Sequence, residues 1–252
     1  MYPILFSFGS INVYSHGVMM ALGAVVGAWF FLYLVKNEKV PKDYLLAMTI
    51  WTIIGGVIGA RILYLLLYFD QFDSLQSMLA FWNGGLVSFG GMIGALIVTI
   101  IFVKNMKQSI LKWLDLVTPG LLLGWSVGRI GCYLNGDSFG VVTSNFGFWQ
   151  NYPTPLFESA CLLIIGLICL FLVLNKYKKI PDGLVFSLGT GLYGLCRFGI
   201  DYFKAEPVWF WSLKYGQIGS LVTTLLAVIL MLFIVINKYK PLSKIGSKEE
   251  KC

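Results

Sequence analysis

Long apolar runs alternate with short polar links along the whole chain. Seven runs, at roughly 16–35, 44–68, 85–103, 113–135, 155–174, 183–204 and 216–236, each approach or exceed the ~20 residues a helix needs to cross a bilayer. The pattern predicts an all-α polytopic membrane protein with about seven transmembrane helices. It predicts one membrane domain over residues 1–236 and a basic tail over 237–252. Residues 1–15 read as a short outer segment. Pro119 falls inside the fourth span and is expected to kink it. Pro155 opens the fifth span, with Thr154 as its expected N-cap.

The links carry the orientation. Of sixteen lysines, fourteen lie in four clusters: Lys36/Lys39/Lys42, Lys104/Lys107/Lys112, Lys176/Lys178/Lys179 and Lys238/Lys240/Lys244/Lys248/Lys251. Seven spans place all four clusters on one side, which the positive-inside rule makes cytoplasmic. The N-terminus is then outside and the C-terminus cytoplasmic. Trp209 and Trp211, in the link Ala205 to Lys214, suit the outer interface.

Composition agrees. Hydrophobic residues make up 58% of the chain and charged residues 12%, with a mean hydropathy of +0.78, which excludes a soluble globular protein. The net charge of +7 is a topology signal, so no nucleic-acid partner is expected. The first ten residues carry no basic n-region, so the first span is expected to act as its own insertion signal. Five cysteines without CxxC spacing and a single histidine imply neither a disulfide framework nor a metal set.

The chemistry concentrates in Gly124 to Gly140. Gly120, Gly124 and Gly128 recur every fourth residue, a spacing that lets a neighbouring helix approach closely. Arg129 follows, and Asn135-Gly136 reads as the turn that ends the helix. All three arginines of the chain, Arg61, Arg129 and Arg197, fall inside predicted spans. At ~1.5 Å per residue they lie roughly 26, 24 and 21 Å from the inner edge, in the outer half of a core about 30 Å thick. Intramembrane arginines usually face a bundle interior and carry function. Glu158, His16 and Asn135 sit at the same face, and Asp201 shares a helix face with Arg197 at i,i+4. The ordinary alternative is that Glu158 favours a helix N-terminus and Asp201 only neutralises Arg197. Guanidinium forks match phosphate bidentately, so the residues point to a phosphate site under the outer headgroups, without naming a reaction.

The stretch Gly128 to Gly140 (GRIGCYLNGDSFG) strongly resembles the signature of bacterial prolipoprotein diacylglyceryl transferases. Tyr14 to Gly17, Gly59 to Tyr64, Gly84 to Gly94, Tyr152 to Glu158, Arg197 to Lys204 and Tyr215 to Ser220 resemble further motifs of that family, in order. The resemblance implies a multi-pass enzyme of the bacterial cytoplasmic membrane that needs no cofactor. Its lipid partner would be phosphatidylglycerol and its acceptor the lipobox cysteine of a prolipoprotein, with release of glycerol 1-phosphate. Arg129 would bind the headgroup and Arg197 support the same anion, Asn135 and Gly140 would shape the turn over it, and Glu158 would order the pocket. By depth and helix face Arg61 and Asp201 join them as substrate-binding candidates.

Departures from the family pattern fall at defined places. Phe89 stands where many members have His, so a base at that position is absent. His16 stands where the family usually has Tyr, and Cys132 where it often has Asn. Tyr152, Pro155 and Phe157 replace His, Gln and Tyr, and Lys204 replaces an arginine. His16 is then the candidate proton acceptor, since an imidazole takes a proton near neutral pH; the other reading is that it only hydrogen-bonds at headgroup level. A phospholipid-binding paralog and an outer-facing anion transporter remain the competing functions at this point.

Overall fold

The structure, a computed structural model, describes residues 2–8, 11–72, 78, 85–143, 151–176, 180–205, 207–210 and 212–245. Among these there are seven α-helices: α1 (Ser15–Val35), α2 (Lys42–Leu67), α3 (Ser88–Asn105), α4 (Ile110–Asn135), α5 (Thr154–Lys176), α6 (Leu184–Asp201) and α7 (Tyr215–Ile245). They coincide with the seven apolar runs. Five of them, α1, α2, α4, α5 and α7, are long and apolar enough to cross a membrane. Large apolar side chains are exposed along these helices, among them Ile58, Ile62 and Leu66 on α2 and Leu225, Ile229 and Phe233 on α7. Faces of that kind are stable against hydrocarbon rather than water.

Two short antiparallel hairpins accompany the helices: β1 (Ile4–Phe8) with β2 (Ile11–Tyr14), and β3 (Val208–Phe210) with β4 (Leu213–Lys214). The apolar pattern reads the first only as an outer segment, because strands of four or five residues are too short to separate from a link. Trp211, placed by the sequence in an outer link, lies outside the described residues, as do residues 246–252 of the tail and two lysines of the third cluster.

The chain divides into two compact units, residues 36–113 and the remainder. In the smaller unit α2 packs against α3 through glycines. A Cβ added at Gly59 would fall on the carbonyl oxygen of Gly90, and one at Gly94 on that of Gly55. Thr52 and Thr99 meet across the same seam at 3.3 Å.

In the larger unit α1 packs on α4 by the same means. Gly23 faces the carbonyl of Gly124, and Gly120 lies 2.5 Å from that of Gly27 when given a Cβ. The every-fourth glycine pattern therefore performs as the sequence suggests. α4 continues through Pro119. It ends at Asn135 in a Schellman turn: Gly136 at φ 87° donates to Tyr133 and Asp137 donates to Cys132. α6 packs between α5 and α7. Its N-terminus is fixed by the carboxylate of Asp115 on α4, which is fully buried and accepts the backbone N–H of Gly183 and Phe186 at 2.7 Å each. Orphan donors at a helix start need such a partner, and here it comes from another helix.

Candidate phosphate site

The site belongs to the larger unit and is centred on Glu158, in the second turn of α5. Its side chain is 1% exposed and meets three cations from three segments. Arg129 of α4 approaches with Nε 2.6 Å from Oε2. Arg197 of α6 places Nη1 against Oε1. Lys204, just past α6, places Nζ 2.9 Å from the same oxygen. Asp201 is fully buried and pairs with Arg197 Nε at 3.0 Å and Lys204 Nζ at 3.3 Å.

A buried carboxylate without partners would be protonated or expelled, so Glu158 and Asp201 depend on these cations as much as the cations depend on them. The cluster counts three cations against two carboxylates among the described residues, an excess of one positive charge. Such an excess, held where water is scarce, suits an anion.

The surrounding chain explains why the cluster holds its shape. Lys214 Nζ donates to the carbonyls of Asp201 and Tyr202 at 2.9 Å and Lys204 at 2.6 Å, satisfying the C-terminal end of α6. A Cβ at Gly216 would fall on Asp201 Oδ2, so the second residue of α7 has no room for a side chain. Tyr193, one turn before Arg197, lies close to the Arg129 guanidinium, and its ring is 5.8 Å from that of Trp125.

Gly140 closes the turn after α4. Its N–H donates to Tyr152 at 2.9 Å, its carbonyl accepts from Asn151 at 3.1 Å, and a Cβ would meet the carbonyl of Phe203. Thr154 is the first residue of α5, and its hydroxyl goes to the carbonyl of Ser138. The expected N-cap is thus a tie between α5 and this turn. Asn135 is bound to Asp137 at 2.5 Å rather than to the cluster.

His16 lies near the start of α1, where Gly131 lets α1 press onto α4. A Cβ there would be 2.7 Å from Met19 Cβ and 3.3 Å from His16 Cα. His16 Nδ1 is 3.7 Å from the sulfur of Cys132, which also accepts Arg129 Nη1 at 3.8 Å. Arg61 belongs to the smaller unit. Its Nε donates to Met78 O at 2.9 Å and its Nη1 to Gly85 O at 3.0 Å, with Tyr64 and Phe72 rings 5.5 and 5.4 Å away. Phe89, in the same unit, is 68% exposed.

The structure therefore brings Arg129, Arg197, Glu158 and Asp201 together and adds Lys204, Tyr193 and Lys214, which sequence reasoning does not place in the site. Lys204 had a readable signal: it stands three residues after Asp201 and seven after Arg197, on their helix face.

Comparison with known proteins agrees with the motif order. Residues 3–233 match the family profile described as prolipoprotein diacylglyceryl transferase. Phosphatidylglycerol–prolipoprotein diacylglyceryl transferase 1 of Clostridium perfringens (strain 13 / Type A) is 29% identical over 253 residues, covering 93% of this chain and 95% of that protein. The Clostridium botulinum (strain Langeland) protein of the same printed activity is 30% identical over 256 residues, covering 95% and 98%. That of Finegoldia magna is 27% identical over 243 residues, covering 94% and 95%.

Proposed function

From the premise that the chain belongs to the prolipoprotein diacylglyceryl transferase family, and so is a membrane diacylglyceryl transferase, we propose how its buried charge cluster serves the reaction. Phosphatidylglycerol is the donor and the thiol of a prolipoprotein lipobox cysteine the acceptor. The observation that carries this reading is Glu158 shared by Arg129, Arg197 and Lys204 with one positive charge in excess.

The acceptor sulfur attacks the glycerol carbon that bears the phosphate. A C–S bond forms, the C–O bond breaks, and its electron pair stays on the phosphate oxygen. Glycerol 1-phosphate leaves and the thiol proton passes to solvent or product. A phosphodiester carries one negative charge, and a second develops on the departing monoester as the bond breaks. Fixed guanidinium donors stabilise that developing charge more than the charge of the ground state, which is what accelerates a reaction. Arg129 and Arg197 supply the donors, and Glu158 and Asp201 hold their forks in place. The turn closed by Gly140 and Asn135 covers the site, and Arg61 braces the smaller unit.

The reading includes a topology. All seven helices cross the cytoplasmic membrane of a bacterium, with the N-terminus outside and the loops Lys36 to Asp43 and Lys104 to Lys112 inside. The domain is one membrane body over 1–236 with a cytoplasmic tail. Cysteine-accessibility labelling that placed either loop outside would overturn the orientation. The function itself is tested with purified protein, labelled phosphatidylglycerol and a lipobox peptide. Mass spectrometry should find the peptide heavier by one diacylglyceryl thioether. Labelled lipid left intact by folded protein would overturn the assignment.

A further inference from the structure

We propose that Cys132 is a positioning residue that sets the tautomer of His16 and thereby makes His16 a hydrogen-bond donor to the lipid phosphate rather than a proton acceptor. The inference rests on the transferase reading above and concerns two positions where this chain departs from its family pattern. Cys132 is 8% exposed and its sulfur has two partners: Arg129 Nη1 at 3.8 Å and His16 Nδ1 at 3.7 Å.

A guanidinium only donates, so toward Arg129 the sulfur is the acceptor. The thiol hydrogen is then the group left for His16, and Nδ1 receives it. A neutral imidazole carries one hydrogen, so that hydrogen must sit on Nε2. The opposite arrangement, with Nδ1–H donating to sulfur, would make the sulfur accept twice and leave its own hydrogen without an acceptor in a nearly closed space. Buried polar hydrogens are seldom left so.

The consequence settles the two roles that the sequence leaves open for His16. A base needs an available lone pair, and on the neutral ring that lone pair is the one Cys132 occupies. The remaining nitrogen can only donate, as a hydroxyl would at the same position. Close packing keeps the pair together, because Gly131 admits the backbone of His16 against α4.

The test uses the fact that the chain has one histidine. Protein labelled with 15N-histidine and held in detergent micelles gives one imidazole, whose two nitrogen shifts report the tautomer. The wild type should show the Nε2–H form. Cys132→Ala should move the spectrum toward a mixture of both tautomers, and Cys132→Ser, which keeps an O–H donor, should hold the wild-type form. A wild-type spectrum of the Nδ1–H form, or one unchanged in Cys132→Ala, would overturn the proposal.

Kinetics give an independent arm. His16→Phe should lose turnover and His16→Tyr should recover most of that loss, since tyrosine restores a donor but is no base at neutral pH. In Cys132→Ala the effect should fall on KM for phosphatidylglycerol, by roughly 3- to 10-fold for one weakened hydrogen bond, more than on kcat. His16→Tyr no better than His16→Phe would contradict the donor role. The tautomer measurement needs no turnover, so failure of the transferase reading and failure of this one are told apart.

Discussion

α1 with α4 and α2 with α3 are built by the same rule and end in different chemistry. In each pair, glycines four residues apart bring backbone against backbone, Gly23 and Gly124 in one, Gly59 and Gly90 in the other. In each, an arginine follows the glycines closely: Arg129 on α4 and Arg61 on α2. The guanidinium of Arg61 donates to the carbonyls of Met78 and Gly85, neutral acceptors fixed by the backbone. That of Arg129 faces a carboxylate which two further cations share. Burial alone therefore does not make an arginine of an apolar helix an anion site. Arg61 holds two backbone carbonyls of its own unit, whereas the carboxylate network at Arg129 carries excess positive charge and can receive an anion.

The largest effects should come from breaking the network itself. Glu158→Ala removes the anion common to three cations. It should abolish transfer and destabilise the protein by about 3–5 kcal/mol, the cost of stranding buried charge, read as thermal unfolding in detergent. Arg129→Ala should lower turnover by about 10²–10³-fold with membrane insertion unchanged, as expected for losing a donor to a developing oxyanion. Normal turnover in Arg129→Ala would remove that residue from the site.

Packing should respond equally in the two helix pairs. Gly124→Ala and Gly59→Ala each drive a methyl onto a facing carbonyl, and each should cost about 1–3 kcal/mol in the same melting experiment. A large effect in one pair only would mean that the two seams are not equivalent. Arg61→Ala should be milder on activity, with less than about a tenfold loss in turnover and about 1–3 kcal/mol of stability for the carbonyls it leaves unpaired. Lys214→Met falls in the same stability range, about 1–3 kcal/mol, because it leaves three carbonyls at the end of α6 without their donor.

Much of this arrangement is legible in the sequence, and the parts that are not share a cause. The helices are written in the length of the apolar runs, the α1–α4 seam in glycines four apart, and the end of α4 in Asn135-Gly136. Each is a local pattern. The depth arithmetic along helices is local too, and it has no lateral coordinate. It groups Arg61 with Arg129 and Arg197 by depth alone; Arg61 lies in the smaller unit, on the carbonyls of Met78 and Gly85. Lys204, read as a replacement for arginine, is legible by its spacing from Arg197 and Asp201. The same lack hides the contacts of Cys132, named from the sequence only as a departure from the family's Asn. It also hides Asp115, whose partners Gly183 and Phe186 lie at the start of α6, far along the chain. Thr154 shows the converse, since a residue well suited to cap its own helix instead binds Ser138.

In the proposed mechanism the planar fork of Arg129, and not its charge alone, holds the phosphate. This is tested most directly by measuring thioether formation in Arg129→Lys beside Arg61→Lys, at equal amounts of folded protein. Lysine keeps the charge and loses the planar fork that pairs with phosphate. Transfer should fall near background in Arg129→Lys and stay within about tenfold of wild type in Arg61→Lys. Equal activity in the two variants, or a greater loss at Arg61, would contradict it.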